Sequence, residues 1–175
     1  AVDLPALEQI QVTKNNIRKM TIRNLPALQQ LHANSNVLKE ITLENLPVLQ
    51  RLNLYDNALE SLTLDLPKLM FLFVYDNQLK QLDTSHLPML FQISVSNNPI
   101  KKLDLSSNPI VRNIEAENMP AMTELNLKNN GDFDEDNEYL IIDGNTSLKT
   151  IYVDAGSEAT AVKQLVGSKA INVVE

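Results

Sequence analysis

The chain has 175 residues, 43% of them hydrophobic and 21% charged, enough apolar material for one domain with a substantial core and too much for a disordered segment. Its net charge of -7 argues against duplex nucleic acid or an anionic membrane as partner, and no run approaches the roughly 18 apolar residues of a membrane-spanning helix. With no cysteine, disulfides, thiolate metal sites and a cysteine nucleophile are removed. Two biases remain, 28 Leu and 20 Asn against 4 Gly.

Both biases are periodic. The prolines stand at Pro5, Pro26, Pro47, Pro67, Pro88, Pro99, Pro109 and Pro120, a spacing near 21 that later halves, so the repeat consists of two similar half-units. The first half-unit reads LxxLxLxxN. It runs as Leu7-Ile10-Val12-Asn15, Leu28-Leu31-Ala33-Asn36, Leu49-Leu52-Leu54-Asn57, Leu69-Leu72-Val74-Asn77 and Leu90-Ile93-Val95-Asn98. The second ends on an aliphatic residue before Pro, as in Ile17-Met20-Ile22-Leu25, Leu38-Ile41-Leu43-Leu46 and Leu79-Leu82-Thr84-Leu87; the copy at Leu59-Leu62-Leu64-Leu66 is one residue short. From Ile100 the alternation is expected to break. Ile100-Leu103-Leu105-Asn108 ends in Asn, Val111-Ile114-Ala116-Met119 carries Met in its place, and Met122-Leu125-Leu127-Asn130 restores the motif. The stretch Asn108–Met119 is expected to change the curvature or lose a half-coil, with a gap at Met119.

In LxL the two apolar side chains share one face of a strand and their neighbours take the other. A half-unit of about 10 residues has no room for a long helix, and one coil cannot bury its own apolar side, so the coils must stack. Asn after the strand can bond backbone groups of its own turn and of the adjacent coil. Asn15, Asn36, Asn57, Asn77, Asn98 and Asn130 are therefore expected inward as a ladder. An amphipathic helical repeat fits poorly, because apolar positions at i, i+3 and i+5 do not follow a 3.6-residue period.

This pattern resembles a leucine-rich repeat. The alternating half-units with LPxL and NPxL joints, as in Ser96-Asn97-Asn98-Pro99-Ile100 and Lys102–Pro109, resemble bacterial internalin J-type repeats and the surface repeats of Bacteroidetes. It departs from them in lacking Cys at the second strand position, which here holds Val12, Ala33, Leu54, Val74, Val95, Ala116 and Leu127. The resemblance implies a leucine-rich repeat solenoid over residues 1–153, a right-handed curved coil with a parallel β-sheet on its inner face and short strands or turns on the other. A small α/β C-terminal cap follows over 154–175. It also implies a non-enzymatic module at the cell surface or in secreted form, an adhesin or host-interaction domain that binds a protein through its strand face; an intracellular regulatory or effector scaffold is the alternative. In the cap, Ser157 is expected to N-cap a helix ending at Gly167, with Ala161, Val162 and Leu165 covering the core and Ile171, Val173 and Val174 adding a strand.

No catalytic constellation is present, and no metal or cofactor is expected. His32 and His86 fall in different half-units, each read as a solvent-facing or turn residue rather than a ligand. The outward positions of the first strands run Gln9, Gln11, Thr13; Gln30, His32, Asn34; Arg51, Asn53, Tyr55; Phe71, Phe73, Tyr75; Gln92, Ser94, Ser96; Asn113, Glu115, Glu117; and Glu124, Asn126, Lys128. Tyr55, Phe71, Phe73 and Tyr75 hold four of the eight aromatic residues, and outward rings on a sheet are the usual anchors of an interface. They are the candidate partner site, with Arg51 and Gln92 as a polar rim and a protein favoured over a glycan. The second half-units present Thr21, Thr42, Thr63, Asp83 and Asp104, read as structural. The acidic insertion 131–138 carries five acids. Asp132, Asp134, Asp136 and Asp143 fall at positions 1, 3, 5 and 12 of a calcium-loop pattern, but Asn137 replaces the glycine at position 6 and no helices flank it, so a solvated loop is favoured over calcium. Asn145-Thr146-Ser147 matches the glycosylation pattern and is read as accidental.

Overall fold

The computed structural model describes residues 4–131 and 139–175. The LxL segments form short strands because each places one or two branched apolar side chains on the inner side of an extended backbone. On one side of the molecule lie β1 (Gln9–Gln11), β3 (Gln30–His32), β5 (Arg51–Asn53), β6 (Phe71–Phe73), β7 (Gln92–Ser94), β9 (Asn113–Glu115) and β11 (Tyr139–Ile141). They pair in parallel as one seven-stranded sheet in that order. Register is one-to-one from coil to coil, so that Ile10, Leu31, Leu52, Leu72, Ile93, Ile114 and Leu140 form a single inward column. The chain is a parallel-strand β-solenoid of the leucine-rich-repeat type.

The opposite side is less regular. Strands β2 (Lys19–Arg23) and β4 (Glu40–Glu44) pair with each other, and β8 (Lys102–Asp104), β10 (Glu124–Asn126), β12 (Thr150–Tyr152) and β13 (Asn172–Val174) form a second group in the order β13-β12-β10-β8. Between them, residues 61–65 and 81–85 form no strand. The shortened half-unit Leu59–Leu66 lies at this break. Thr21 pairs with Thr42, whereas Thr63 and Asp83 fall in the strandless coils and Asp104 sits on β8. The core fills the space between the two sides with Leu28, Leu49, Leu69, Leu90 and their partners, all fully buried. Each such side chain contributes roughly 1.5–3 kcal/mol.

The expected break in alternation is not found. The segment 100–108 supplies β8 on the second side, 111–119 supplies β9 on the first, and 122–127 supplies β10 on the second, so no half-coil is lost. What changes side is the asparagine. The first-side ladder consists of Asn36, Asn57, Asn77, Asn98 and Asn145. In each of the first four, the two N–H groups of Nδ2 are shared among three backbone carbonyls, one of them in the preceding coil, and Oδ1 accepts a backbone N–H there. The Asn98 amide, for example, bonds Val74 O at 3.0 Å and Val95 O at 2.9 Å, and accepts from Leu79 N at 2.9 Å. Met119, fully buried, occupies the next position and leaves the expected gap. Asn145 resumes the ladder, bonding Ala116 O, Ile142 O and Met119 N. On the second side, Thr84, Asn108 and Asn129 form a short ladder of their own.

Three expectations are corrected. Asn130 is exposed and left-handed, and its N–H meets Asp154; its neighbour Asn129 is the inward residue. Glu124, Asn126 and Lys128 belong to the second side, and Tyr139 and Ile141 take the outward places of the seventh first-side strand. Asn15 bonds carbonyls of its own coil and is exposed. A half-unit hidden by the insertion explains the second error: Leu140-Ile142-Asn145 has the LxIxxN spacing without the leading Leu.

A left-handed residue precedes each first-side ladder position: Lys14, Ser35, Asp56, Asp76, Asn97, Asn118 and Gly144. The last is tightly placed, since a Cβ on Gly144 would lie 2.2 Å from Asn118 Oδ1.

The cap is helix α1 (Ser157–Val166) followed by β13. Gly156, not Ser157, is the N-cap residue, and Gly167 ends the helix with its N–H on Lys163 O. Ala159, Val162 and Val166 cover the core, while Leu165 is exposed and Ala161 half-buried. The four-residue helical period places 162 and 166 on one face, and 165 falls off it. Of the calcium reading, Asp132, Asp134 and Asp136 lie outside the described residues; Asp143 pairs with Lys169 Nζ at 3.1 Å. The amide nitrogen of Asn145 is committed to two carbonyls, which opposes modification of the Asn145-Thr146-Ser147 sequence in the folded chain.

Two outcomes test this architecture in equilibrium unfolding. Asn98→Leu strands the Val74 and Val95 carbonyls and the Leu79 amide in the interior and should cost about 1–3 kcal/mol or more, whereas Met119→Asn, which can join the ladder, should cost less than Met119→Ala. Ser35→Asn, at a left-handed position where Asn is tolerated, should stabilise by about 0.5–1 kcal/mol, and Gly144→Ala should destabilise by about 1–2 kcal/mol.

Candidate functional site: the seven-stranded face

The outward side chains of β1, β3, β5, β6, β7, β9 and β11 form columns running along the solenoid, with a composition that changes from one end to the other. The first two coils present amides and one imidazole. His32 Nε2 lies 3.2 Å from Gln30 Oε1, and Asn53 Nδ2 lies 2.9 Å from His32 Nδ1. The ring therefore donates from Nε2 and accepts at Nδ1, which is the neutral form. Partial burial, and then the Arg51 guanidinium, hold the His32 pKa below its ordinary value.

The middle coils carry the aromatic band. Tyr55 and Tyr75 stack with ring centres 4.4 Å apart and planes 6° from parallel. One-to-one register puts equivalent positions about 4.8 Å apart, so adjacent coils necessarily place their rings face to face. Arg51 lies across the band, its guanidinium 4.3 Å from the Phe71 centroid and 5.5 Å from that of Phe73. Phe91 meets Phe71 edge-on at 6.3 Å. Phe71, Phe73 and Tyr75 are half-buried, Phe71 against Arg51 and Phe91, Phe73 beside Arg51 and Tyr75 against Tyr55. Arg51 is thus laid over the rings, while Gln92 is turned to the Tyr139 hydroxyl at 2.6 Å.

Beyond the band the face becomes acidic. Glu115 and Glu117 project from the coil of β9, and the Tyr139 hydroxyl donates to Glu115 Oε1 at 3.0 Å. Burial, and then this carboxylate partner, push the Tyr139 phenol up to about 12. Burial is also the main cause that lifts Tyr75 to about 12, followed by Tyr55 and the carboxylates of Asp76 and Glu115. Between the rings and the acids lies a hollow of about 390 Å³ lined by Phe73, Tyr75, Ser94, Ser96, Glu115 and Glu117, with Asp76 and Asn97 at its edge. Flanking the band, Asn53 Oδ1 and Asn113 Oδ1 are buried with no hydrogen-bond partner among the described residues.

The structure brings Arg51, Tyr55, Phe71, Phe73 and Tyr75 together and places Gln92 beside them. Phe91 and Tyr139 were missed from sequence. Phe91 precedes its strand, outside the alternation used to assign faces, and Tyr139 follows the insertion. A second hollow, of about 560 Å³, opens on the other side at the break in strand pairing, with Thr63, Asp65, Asp83 and His86 on its walls. Among the described residues no group of His, Asp and Glu is arranged to hold a metal ion, and no helix is long and apolar enough to cross a membrane. No family model matches the chain, and no curated protein matches it.

The titration behaviour of this face is measurable. A raised folded pKa means that Tyr75 and Tyr139 add stability below the ordinary tyrosine value of about 10, and that this is lost as pH rises through about 12. Ultraviolet titration should show a delayed ionisation that disappears in Tyr75→Phe/Tyr139→Phe. His32 has a lowered pKa, so its contribution is lost as pH falls below the ordinary histidine value of about 6.5. Its imidazole resonances should titrate below that value.

Proposed function

We propose that this chain is a non-enzymatic protein-interaction module, acting at the cell surface or in secreted form, whose seven-stranded face receives a protein partner. The observation that carries the reading is the aromatic band: Tyr55, Phe71, Phe73 and Tyr75 face outward on adjacent coils while Leu52, Leu54, Leu72 and Val74 of the same strands fill the core. The fold does not require rings there. Equivalent positions in other coils hold Gln, Asn, Ser and Glu with unchanged register. A pre-stacked pair of tyrosines and two phenylalanines under a guanidinium offer contact area with little ordering cost, the property of interface anchors. The repeat's resemblance to bacterial surface repeats supports the extracellular placement. A protein suits the face better than a glycan, because the rings lie between an amide-rich flank and an acidic one, with a guanidinium against two of them.

Selection of a displayed random-peptide library on the immobilised chain tests this. Enriched peptides should bind at least about 2 kcal/mol more weakly to Phe71→Ser/Phe73→Ser/Tyr75→Ser, with a melting temperature only a few degrees lower. Equal binding by the variant would move the site off this face, and a collapse in stability would assign the rings to the core.

A further inference from the structure

Two neighbouring columns of the strand face carry the same sequence of side chains along three successive coils. One is Phe73, Ser94, Glu115, in direct register. The other is Tyr75, Ser96, Glu117, held by backbone bonds from Asp76 N to Ser96 O and from Asn97 N to Glu117 O. In both, an aromatic ring and a carboxylate stand two coils apart with only a serine between them. Two strand spacings are about 9.6 Å. The hollow between the rings and the acids is therefore a slot, with an aromatic wall, a carboxylate wall and a serine floor.

We propose that this slot takes the guanidinium of an arginine from the bound partner, so that the partner's contacting segment is basic. This rests on the reading of the strand face as a partner surface and names the chemistry it selects. A planar cation stacked at about 3.5–4 Å from the ring wall leaves about 5–6 Å to the carboxylate column, which glutamate side chains span to form charge-assisted bonds. The floor supplies an acceptor. Ser94 is 1% exposed, lines the slot, and its hydroxyl has no hydrogen bond to any described residue. Of the acids, Glu115 is oriented by the Tyr139 hydroxyl and Asp76 by Asn97 Nδ2 at 2.7 Å, and no cation among the described residues pairs with Glu115 or Glu117. The chain already places a guanidinium against one of these rings, since Arg51 lies 5.5 Å from the Phe73 centroid. A compact ammonium would lack the planar stacking that a slot of this width selects.

Amide chemical shifts of the isotope-labelled chain, titrated with Nα-acetyl-arginine methylamide, read the slot directly. The neutral isostere Nα-acetyl-citrulline methylamide and the lysine analogue are the controls. Arginine should give saturable shifts centred on Ser94, Ser96, Asn97 and Glu117, citrulline none at the same concentrations, and lysine weaker ones. Glu115→Gln/Glu117→Gln, which alters charge and not shape, should weaken arginine binding about tenfold or more with an unchanged melting temperature; a thermally destabilised double variant is replaced by Glu117→Gln alone. Citrulline binding as well as arginine, lysine binding equally, or shifts scattered over the acidic surface would each overturn the slot. If arginine fails while library peptides still depend on Phe71, Phe73 and Tyr75, the slot falls and the partner surface stands. If arginine binds the slot while those peptides ignore the rings, the broader reading falls instead.

Discussion

Everything in this molecule depends on one constraint: a coil of about 21 residues cannot bury its own apolar side, so each must lie on its neighbour in parallel, one-to-one register. That register does two things at once. It aligns the inward Leu, Ile and Val into columns that exclude water, and it repeats the same unmet backbone groups at every turn of the chain. The asparagine ladder answers the second problem. A single side-chain amide has two donors and a carbonyl with two lone pairs, and Asn36, Asn57, Asn77 and Asn98 use them to join each turn to the one before it. The left-handed residue before each ladder position turns the chain so that the amide points inward.

The same register organises the outer surface. Because equivalent residues of adjacent coils are held about 4.8 Å apart, the face behaves as a set of columns whose chemistry is written one residue per coil. Like residues in adjacent coils are forced together, which produces the Tyr55–Tyr75 stack. A small residue between two large ones produces a slot, as at Ser94 and Ser96. The shift from amides through rings to carboxylates is therefore a property of the solenoid axis, and a partner lying along that axis meets the three chemistries in order.

The two sides of the solenoid tolerate irregularity differently. The first side keeps all its strands paired even where Met119 interrupts the ladder and where the acidic insertion intervenes before β11. The second side splits into β2-β4 and the β8–β13 group, with two strandless coils between. The shortened half-unit Leu59–Leu66 lies at this break, and the full-length half-unit Leu79–Leu87 beside it is strandless as well.

Much of this was legible in the amino-acid sequence. The inward and outward faces of every strand from Gln9 to Glu115 follow from LxL alternation alone, and the aromatic band follows from it, because a strand offers only two directions. What the sequence left ambiguous was which side a half-unit joins once the Asn changes place: LxxLxLxxN at Met122 looks like a first-side motif and forms β10 on the second. Motif letters do not encode side; strict alternation along a continuous chain does, and only the folded register shows that it persists through 100–130. Contacts between coils were likewise out of reach. The Arg51 guanidinium over two rings, the Gln92–Tyr139–Glu115 hydrogen bonds and the slot over Ser94 join residues 20 to 47 positions apart. They exist because stacking sets a distance between coils, and periodicity in one dimension carries no information about which rotamers meet across it.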